Sequence, residues 1–189
     1  MSRNSPVAWR APEVESPVFR KAVSTFCTGV TVVTAMSRET QPAEPDGEKP
    51  ADGAPVGFTC QSFASLSLDP PLVSLAVSQN SRTWPHIAAS GGFCVNVLDA
   101  GQHDLCRGFA TGTAADRFAG VRWSPAPATG SPRIAGCLAW VDAELEAVHP
   151  GGDHLIVVGR VRAAHTSAEE TAPLLFYRST LYSNWFRTD

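Results

Sequence analysis

The chain is poor in charge, and above all in lysine. Charged side chains make up 17% of its 189 residues and the formal net charge is −3, with only Lys21 and Lys49 as lysines. A surface that binds nucleic acid needs basic side chains clustered on one face. The 15 basic residues are scattered instead, so we expect no nucleic-acid partner.

Long apolar runs and paired cysteines are also missing. No segment approaches the roughly 20 apolar residues of a membrane span, and residues 1–16 lack the apolar stretch of a secretory signal. We therefore expect a cytoplasmic protein with no membrane partner. The five cysteines are odd in number and lack C-x-x-C spacing, so neither a disulfide framework nor a metal is predicted. His103 and Cys106 could share a helix face, but core packing explains them better than a metal site.

The familiar motifs of nucleophilic and metal catalysis are absent. The sequence has no G-x-S-x-G, no H-E-x-x-H and no P-loop, each of which would mark a specific chemistry. It also lacks G-x-G-x-x-G, so a nicotinamide would have to bind without a Rossmann domain. These absences favour chemistry carried by a cofactor, for which the protein supplies binding and orientation.

The first third of the chain predicts a mobile arm, a helix, a strand and a long loop. Residues 1–15 are polar and form the arm. Ser16 reads as the N-cap of a helix whose apolar residues recur at helical spacing and which Gly29 can end. A β-branched strand follows. Residues 37–55 are acidic and rich in proline, which predicts a long hairpin loop or a disordered insertion within one domain spanning 16–185.

The remaining two thirds alternate strands with short helices, which favours an antiparallel barrel over a parallel sheet. The sequence HPGGD at 149–153 predicts a tight hairpin between two long strands. Residues 119–133 are rich in proline and glycine and are expected to be irregular. The predicted strands are 56–62, 72–78, 93–98, 134–148 and 154–165, and the predicted helices are 81–90, ended by Gly91, and 100–110.

Residues 57–73, GFTCQSFASLSLDPPLV, form the most informative segment. Hydroxyl side chains recur at close spacing (Thr59, Ser62, Ser65 and Ser67) before the strand stops at two prolines. A serine-rich surface loop is the alternative, but Phe63, Leu66, Leu68 and Leu72 recur too regularly for solvent. The pattern therefore favours a strand and turn that line the site of a flat, polar, heteroaromatic ligand.

This segment resembles the flavin-contacting strand of the flavin reductase-like family, the short reductases with an FMN-binding split barrel. Three more segments match that family in order: 19–35, 92–110 with 116–118, and 152–161 with 173–182. The resemblance implies a mainly β fold, an antiparallel Greek-key split β-barrel with a few short flanking helices. It also implies a homodimer in which the other subunit completes the flavin cleft.

The resemblance further implies an NAD(P)H:flavin oxidoreductase. It would reduce FAD or FMN with NADH, or alternatively NADPH, and supply diffusible reduced flavin to a separate monooxygenase. Two alternatives stay open. One is a flavoprotein that holds its flavin tightly and reduces iron or another acceptor. The other is a non-catalytic split-barrel protein that binds flavin or haem.

The site residues implied by the resemblance fall into a flavin group and a nicotinamide group. Ser81 as an N-cap would leave N–H groups free for the flavin phosphate, and Arg82 would add a permanent charge. His154, after Asp153, would be the catalytic residue that seats the nicotinamide, although a turn histidine pairing with Asp153 is the plainer interpretation. The flavin-contacting residues would be Thr59, Cys60, Gln61, Ser62, Ser65, Ser67, Asn80, Ser81, Arg82 and Thr83, with lesser parts for Asn96, Phe109, Asp153, Tyr177 and Tyr182. Trp84, Phe118 and Trp185 are further aromatic neighbours, more typical of core.

Overall fold

A computed structural model describes residues 14–38, 50–113, 116–169 and 171–183 of the chain. Within these ranges the architecture is mainly β, and the helices are short: α1 (Ser16–Val23), α2 (Trp84–Ser90) and α3 (His103–Thr111). The strands are β1 (Thr28–Gly29), β2 (Thr31–Met36), β3 (Pro55–Cys60), β4 (Ala64–Leu68), β5 (Pro71–Ser78), β6 (Gly92–Val97), β7 (Trp123–Pro125), β8 (Pro132–Ile134), β9 (Ala139–Gly151), β10 (His154–Thr166), β11 (Leu175–Tyr177) and β12 (Thr180–Tyr182).

Seven strands form one antiparallel sheet in the order β3-β2-β6-β9-β10-β5-β4. Its end strands, β3 and β4, are consecutive in the chain and joined by residues 61–63 alone, so the sheet curls until its ends meet. Phe58 and Phe63, from the two ends, pack against the same core. Neighbours such as β2 and β6 are not consecutive, as in a Greek key. The predicted fold class is confirmed.

The two longest strands, β9 and β10, have 13 residues each and form one wall of the barrel. His154 faces Gly151 in their register, so Gly152 and Asp153 make a two-residue turn. Gly152 has φ of 78°, a left-handed conformation that glycine adopts without a steric penalty. The predicted tight hairpin is confirmed, although β9 begins at Ala139 rather than at residue 134.

Strand β2 explains why the core has two parts. Val33 and Ala35 point into the barrel, whereas Val30 and Val32, around the strand's start, pack on the opposite side against α3 and the small sheet. Both faces of β2 are therefore apolar, unlike those of a strand that has one face exposed to solvent. The small sheet has the order β1-β11-β12, and its last two strands were not predicted.

The first helix differs from its prediction. α1 ends at Val23, with Ser24 rather than Gly29 at its C-cap, and its N-cap is Glu15 rather than Ser16. Its apolar side chains are not buried in the chain, since Val18 is 59% exposed and Phe19 is 58% exposed. The helical spacing of its apolar residues therefore predicted the helix correctly, but it did not show that these residues remain exposed in the single chain.

Three further predictions need correction. Helix α2 begins at Trp84, with Thr83 rather than Ser81 as N-cap. Residues 119–133, expected to be irregular, contain β7 and the start of β8, which pair as a hairpin. Leu66 and Leu68, expected to avoid solvent, are exposed because β4 is an end strand of the sheet.

The acidic loop connects β2 to β3 as a hairpin, since Met36 faces Pro55 in the register and Ser37 bonds to Ala54. Its residues 39–49 lie outside the described part of the chain, as do residues 1–13 of the predicted arm and Trp185. In the part that the structure describes, no helix is long and apolar enough to cross a membrane.

Candidate active site

An open pocket of about 400 Å³ lies where β3 leaves the sheet. We call it the strand pocket, and it is lined by residues 58–62, the end of β5 and the first residue of β10. Strand pairing explains this meeting, because His154 faces Ser78 in the register of β10 and β5. Predicted site residues in this lining are Thr59, Cys60, Gln61, Ser62, Ser81 and His154.

The hydroxyls of this pocket are partly committed to the protein itself. Ser62 Oγ accepts from the Ala76 N–H at 2.8 Å and donates to the Ala76 carbonyl at 3.1 Å. Thr59 Oγ1 donates to the Cys106 carbonyl at 2.9 Å. These bonds fix residues 59–62 against β5 and α3. Thr59 and Ser62, which the sequence analysis predicted as ligand contacts, therefore also position the main chain of residues 59–62.

The backbone of β3 provides free polar groups on its outer edge. As an end strand, β3 pairs only with β2, and in an antiparallel ladder alternate residues direct their main-chain groups away from the partner. The Gly57 carbonyl lies on this outer edge, where it accepts from Arg117 Nη1 at 2.9 Å. Thr59, two residues on, has the same parity, so its N–H and carbonyl lie on that edge beside the strand pocket.

His154 is held by its neighbour while it lines the pocket. Its Nδ1 donates to Asp153 Oδ1 at 2.7 Å, and the imidazole is 45% exposed. The hydrogen bond and charge of His154 lower the pKa of the Asp153 carboxyl. The pairing leaves Nε2 as the ring nitrogen without a partner among the described residues. The predicted pairing of His154 with Asp153 is therefore present, and His154 also lines the strand pocket.

The turn between β5 and α2 divides between two pockets. Ser81 lines the strand pocket, and its Oγ accepts from the Trp84 N–H at 3.2 Å. Arg82 and Thr83 line a second pocket of about 120 Å³, which we call the arginine pocket. Asn80 is exposed, and neither pocket includes it in its lining. The sequence predicted one phosphate-binding turn. In the structure Ser81 lines the strand pocket, whereas Arg82 and Thr83 line the arginine pocket.

Arg117 and His86 were missed by sequence reasoning, and both line the arginine pocket. Arg117 Nη1 donates to Thr83 Oγ1 at 2.8 Å, and its Nε donates to the Gly112 carbonyl at 3.0 Å. Burial, followed by the nearby charge of Arg82, lowers the pKa of the Arg117 guanidinium. The DRF motif at 116–118 was the available signal, but nothing local to it indicates that Arg117 reaches the turn.

Several predicted contacts lie away from the strand pocket. Asn96 is fully buried, where its amide donates to the Val32 carbonyl and accepts from the Ile134 N–H, so it has a structural role. Phe109 is 1% exposed and packs edge-to-face on Phe118. Other predicted residues outside the lining are Ser65 and Ser67 on β4, Tyr177 and Tyr182, which contact each other in the small sheet, and Trp84 in the barrel core.

No cluster of metal-ligating side chains occurs in the described ranges. The barrel, with an open cleft between its end strand β3 and the β9–β10 hairpin, is of the split-barrel class. The sequence model of the flavin reductase like domain matches residues 23–184. The chain belongs to the flavin reductase family.

Known relatives agree with this assignment. The reductase subunit HsaB of a flavin-dependent monooxygenase from Rhodococcus jostii (strain RHA1) is 45% identical over 89% of this chain and 77% of its own. The crystal structure of a nitrilotriacetate monooxygenase component B homologue from Mycobacterium thermoresistibile has a TM-score of 0.77 at 43% identity, covering 87% of this chain and 84% of the other. The Streptomyces globisporus C-1027 NADH:FAD oxidoreductase SgcE6, solved with NAD and FAD fragments, has a TM-score of 0.78 at 32% identity, covering 95% and 100%. The predicted family and flavin reductase activity are confirmed.

Proposed function

We propose that the chain reduces FAD or FMN with NADH in the strand pocket and releases the reduced flavin to a separate monooxygenase. The observation that carries the proposal is the position of His154 across one open cleft from residues 58–62. These are the two groups to which the sequence assigned nicotinamide and flavin. Strand pairing brings them together from distant parts of the chain.

The strand pocket fits a flavin ring in size and chemistry. Its volume of about 400 Å³ lies within the range of roughly 300 to 1,000 Å³ usual for sites that bind small molecules. Phe58, Ala76 and Val77 supply apolar lining. The outer edge of β3 supplies main-chain groups that can bond to the polar edge of a ring, and Ser81 lies toward the turn where a phosphate would follow.

The flavin supplies the hydride-accepting chemistry when it is bound. The chain binds and orients both partners. His154 would bind the nicotinamide carboxamide through Nε2, and Asp153 fixes the imidazole through Nδ1. The Thr59 main chain would orient the flavin ring. Holding two rings in a reactive arrangement is worth several kcal/mol of the barrier, because the entropy of association has already been lost.

NADH is the proposed donor, with NADPH as the alternative. The NADH:FAD oxidoreductase described above was solved with NAD and FAD fragments and is similar over 95% of this chain. The monooxygenase partner is supported by the relative that is a reductase subunit of such an enzyme.

We also propose a homodimer. α1 exposes Val18, Phe19 and Val23, the segment after it exposes Phe26, and β4 exposes Leu66 and Leu68. Large apolar side chains grouped on exposed elements mark an interaction surface. A second copy of the chain can cover them, in keeping with a family dimer that completes the flavin cleft. The sequence also offers the Trp-bearing segment 183–189 as part of this interface, and it lies almost wholly outside the described residues.

The test is NADH oxidation with FAD, with FMN and without flavin, each with and without a chelator. We expect consumption that depends on flavin and is indifferent to the chelator. Background consumption of both NADH and NADPH with either flavin would leave the carrier and the prosthetic flavoprotein that reduces another acceptor. Gel filtration of protein loaded with flavin then separates the remaining possibilities. A diffusible flavin is lost from the protein fraction, whereas a prosthetic one stays with it.

A further inference from the structure

The turn that carries Asp153 lies beyond the strand ladders that fix its neighbours. The pairing of β10 with β5 ends at His154 and Ser78, and the pairing of β10 with β9 ends at His154 and Gly151. Gly152 and Asp153 lie outside the last pair of both ladders. Glycine adopts either sign of φ at little cost, so the two glycines before Asp153 leave the turn free to take other conformations. Ladder pairing therefore fixes the main chain of His154 but not the direction of the Asp153 carboxylate.

Gln79 bonds to both residues of this turn. Its main-chain N–H donates to the Asp153 carbonyl at 3.0 Å, and its side-chain Nε2 donates to the Gly152 carbonyl at 2.8 Å. The first bond continues the β10–β5 pairing by one residue and can be made by any residue except proline. The second bond needs a side chain that carries a donor at the length of glutamine. The side chain of Gln79 therefore holds Gly152, whose φ of 78° is a left-handed conformation.

The geometry of the turn determines how Asp153 contacts His154. Asp153 Oδ1 accepts from His154 Nδ1 at 2.7 Å, although the Asp153 side chain is 92% exposed. Packing does not hold so exposed a carboxylate, so its direction depends on the main chain that carries it. The hydrogen bond at one ring nitrogen decides which nitrogen of a histidine carries the proton. With the proton on Nδ1, Nε2 is left as an acceptor for the N–H groups of a nicotinamide carboxamide.

Gln79 is not itself part of the strand pocket. It is exposed and lies outside the lining, whereas Ser78 before it and Ser81 after it belong to that lining. Ser81 lies on the side of the pocket proposed for the flavin, yet both bonds of Gln79 are made to the hairpin that carries His154. Any effect of Gln79 on the reaction is therefore indirect and acts on the nicotinamide side.

We infer that the Gln79 side chain is a positioning residue for flavin reduction. It fixes the turn at residues 152–153, so that Asp153 holds the imidazole of His154 with Nε2 open to the nicotinamide. The inference rests on the proposed function, which places the nicotinamide at His154. Gln79 acts through that histidine alone, so losing its side-chain bond cannot slow the reaction more than losing the imidazole does. Flavin binding should not depend on it.

The first test is stopped-flow reduction of the flavin over a range of NADH concentrations. Gln79→Met keeps the length and neutrality of the side chain but removes the donor, whereas Gln79→Lys keeps a donor. A neutral hydrogen bond corresponds to about twofold to tenfold in an equilibrium constant. Gln79→Met should slow flavin reduction or weaken NADH binding by that factor, and by no more than His154→Ala does. Gln79→Lys should restore most of the loss, and the flavin dissociation constant should be unchanged in both.

The matched control is Thr166→Met, which places the same side chain at the far end of β10. Gln79 and Thr166 are both exposed, so their variants are expected to fold. Thr166→Met should change neither the reduction rate nor the NADH dependence. A double substitution then separates positioning from a general effect on structure. Residues that act through one another are not additive, so Gln79→Met should have no further effect in a His154→Ala chain.

Nitrogen-15 chemical shifts of the His154 imidazole provide a readout besides activity, because they report which ring nitrogen carries the proton. At a pH where the imidazole is neutral, the proton should be on Nδ1 in the wild type and shared between both nitrogens in Gln79→Met. An unchanged tautomer or unchanged reduction kinetics in Gln79→Met would overturn the inference. An equal loss with and without His154, or a change confined to flavin binding, would also overturn it. All of these results leave flavin-dependent NADH oxidation by the wild type intact, whereas failure of the proposed function abolishes it.

Discussion

His154 faces Ser78 across the β10–β5 pair, and the Gln79 N–H donates to the Asp153 carbonyl at 3.0 Å. The hairpin that carries the histidine is thereby tied to the turn that leads to the flavin side of the strand pocket. The two halves of the proposed site cannot shift independently, because consecutive ladder bonds hold them. The position of the imidazole is thus set by backbone pairing rather than by a mobile loop.

His154→Ala should slow flavin reduction or weaken NADH binding while flavin affinity stays unchanged. A hydrogen bond to a neutral group contributes about 0.5 to 1.5 kcal/mol, so the expected loss is about threefold to tenfold. Stopped-flow reduction of the flavin over a range of NADH concentrations measures both quantities. His149→Ala, in an exposed histidine of β9, is the matched control. A change confined to the flavin dissociation constant would make His154 a turn residue only.

Much of this site could be predicted from sequence because local patterns fix the strands and pairing follows from them. Residues 57–67 and His154 were assigned to one site, and the structure brings residues 58–62 and His154 together, whereas Ser65 and Ser67 on β4 lie outside that lining. That Ser81 and Arg82 line different pockets could not be predicted, because it depends on the contact between Arg117 and Thr83, which are 34 positions apart in the chain. The partners of Asn96 could not be predicted for a related reason. A polar residue in an apolar strand predicts a need for partners, but not whether the protein or a ligand supplies them.

The proposed homodimer should dissociate when charge is placed on its interface. Burying a large apolar side chain contributes roughly 1.5 to 3 kcal/mol, and Leu68 is 92% exposed in the single chain. Leu68→Lys should therefore weaken association by at least about tenfold, and a second substitution, Phe26→Lys, should weaken it further. Light scattering coupled to gel filtration gives the mass. Thr111→Lys, on the exposed part of α3, should leave the mass unchanged, and a monomeric wild type would contradict the proposal.

The thiols of Cys94, which is buried, and Cys137, which is half-buried, should make the protein less stable at high pH. Burial raises the pKa of Cys137 to about 12 and also raises the pKa of Cys94. In the unfolded chain both thiols would ionise near pH 8.5. Because the unfolded state then binds fewer protons, the free energy of unfolding falls as pH rises from that value toward 12.

Denaturation at pH 8 and pH 10 measures this loss of stability. Replacing both thiols by alanine should reduce its slope with pH. At pH 8 in the folded state, iodoacetamide should modify neither Cys94 nor Cys137, because the thiolate is the reactive form. Mass spectrometry of the digested protein identifies the labelled cysteines. Rapid labelling of Cys94 without unfolding would contradict the burial on which this prediction depends.

Gly159 should not accept even a methyl group. A Cβ at this position would lie 2.5 Å from Phe93 Cζ and 3.1 Å from Ala143 Cβ, and Phe93 itself is 1% exposed in the barrel core. Overpacking of this kind costs about 1 to 3 kcal/mol, so Gly159→Ala should lower the melting temperature. Gly108→Ala is the matched control, because its Cβ would have no atom within 4 Å on α3. There alanine favours the helix by about 0.5 to 1 kcal/mol. The two glycine-to-alanine substitutions should therefore shift the melting temperature in opposite directions. A Gly159→Ala protein as stable as wild type would mean that the Phe93 ring can move away.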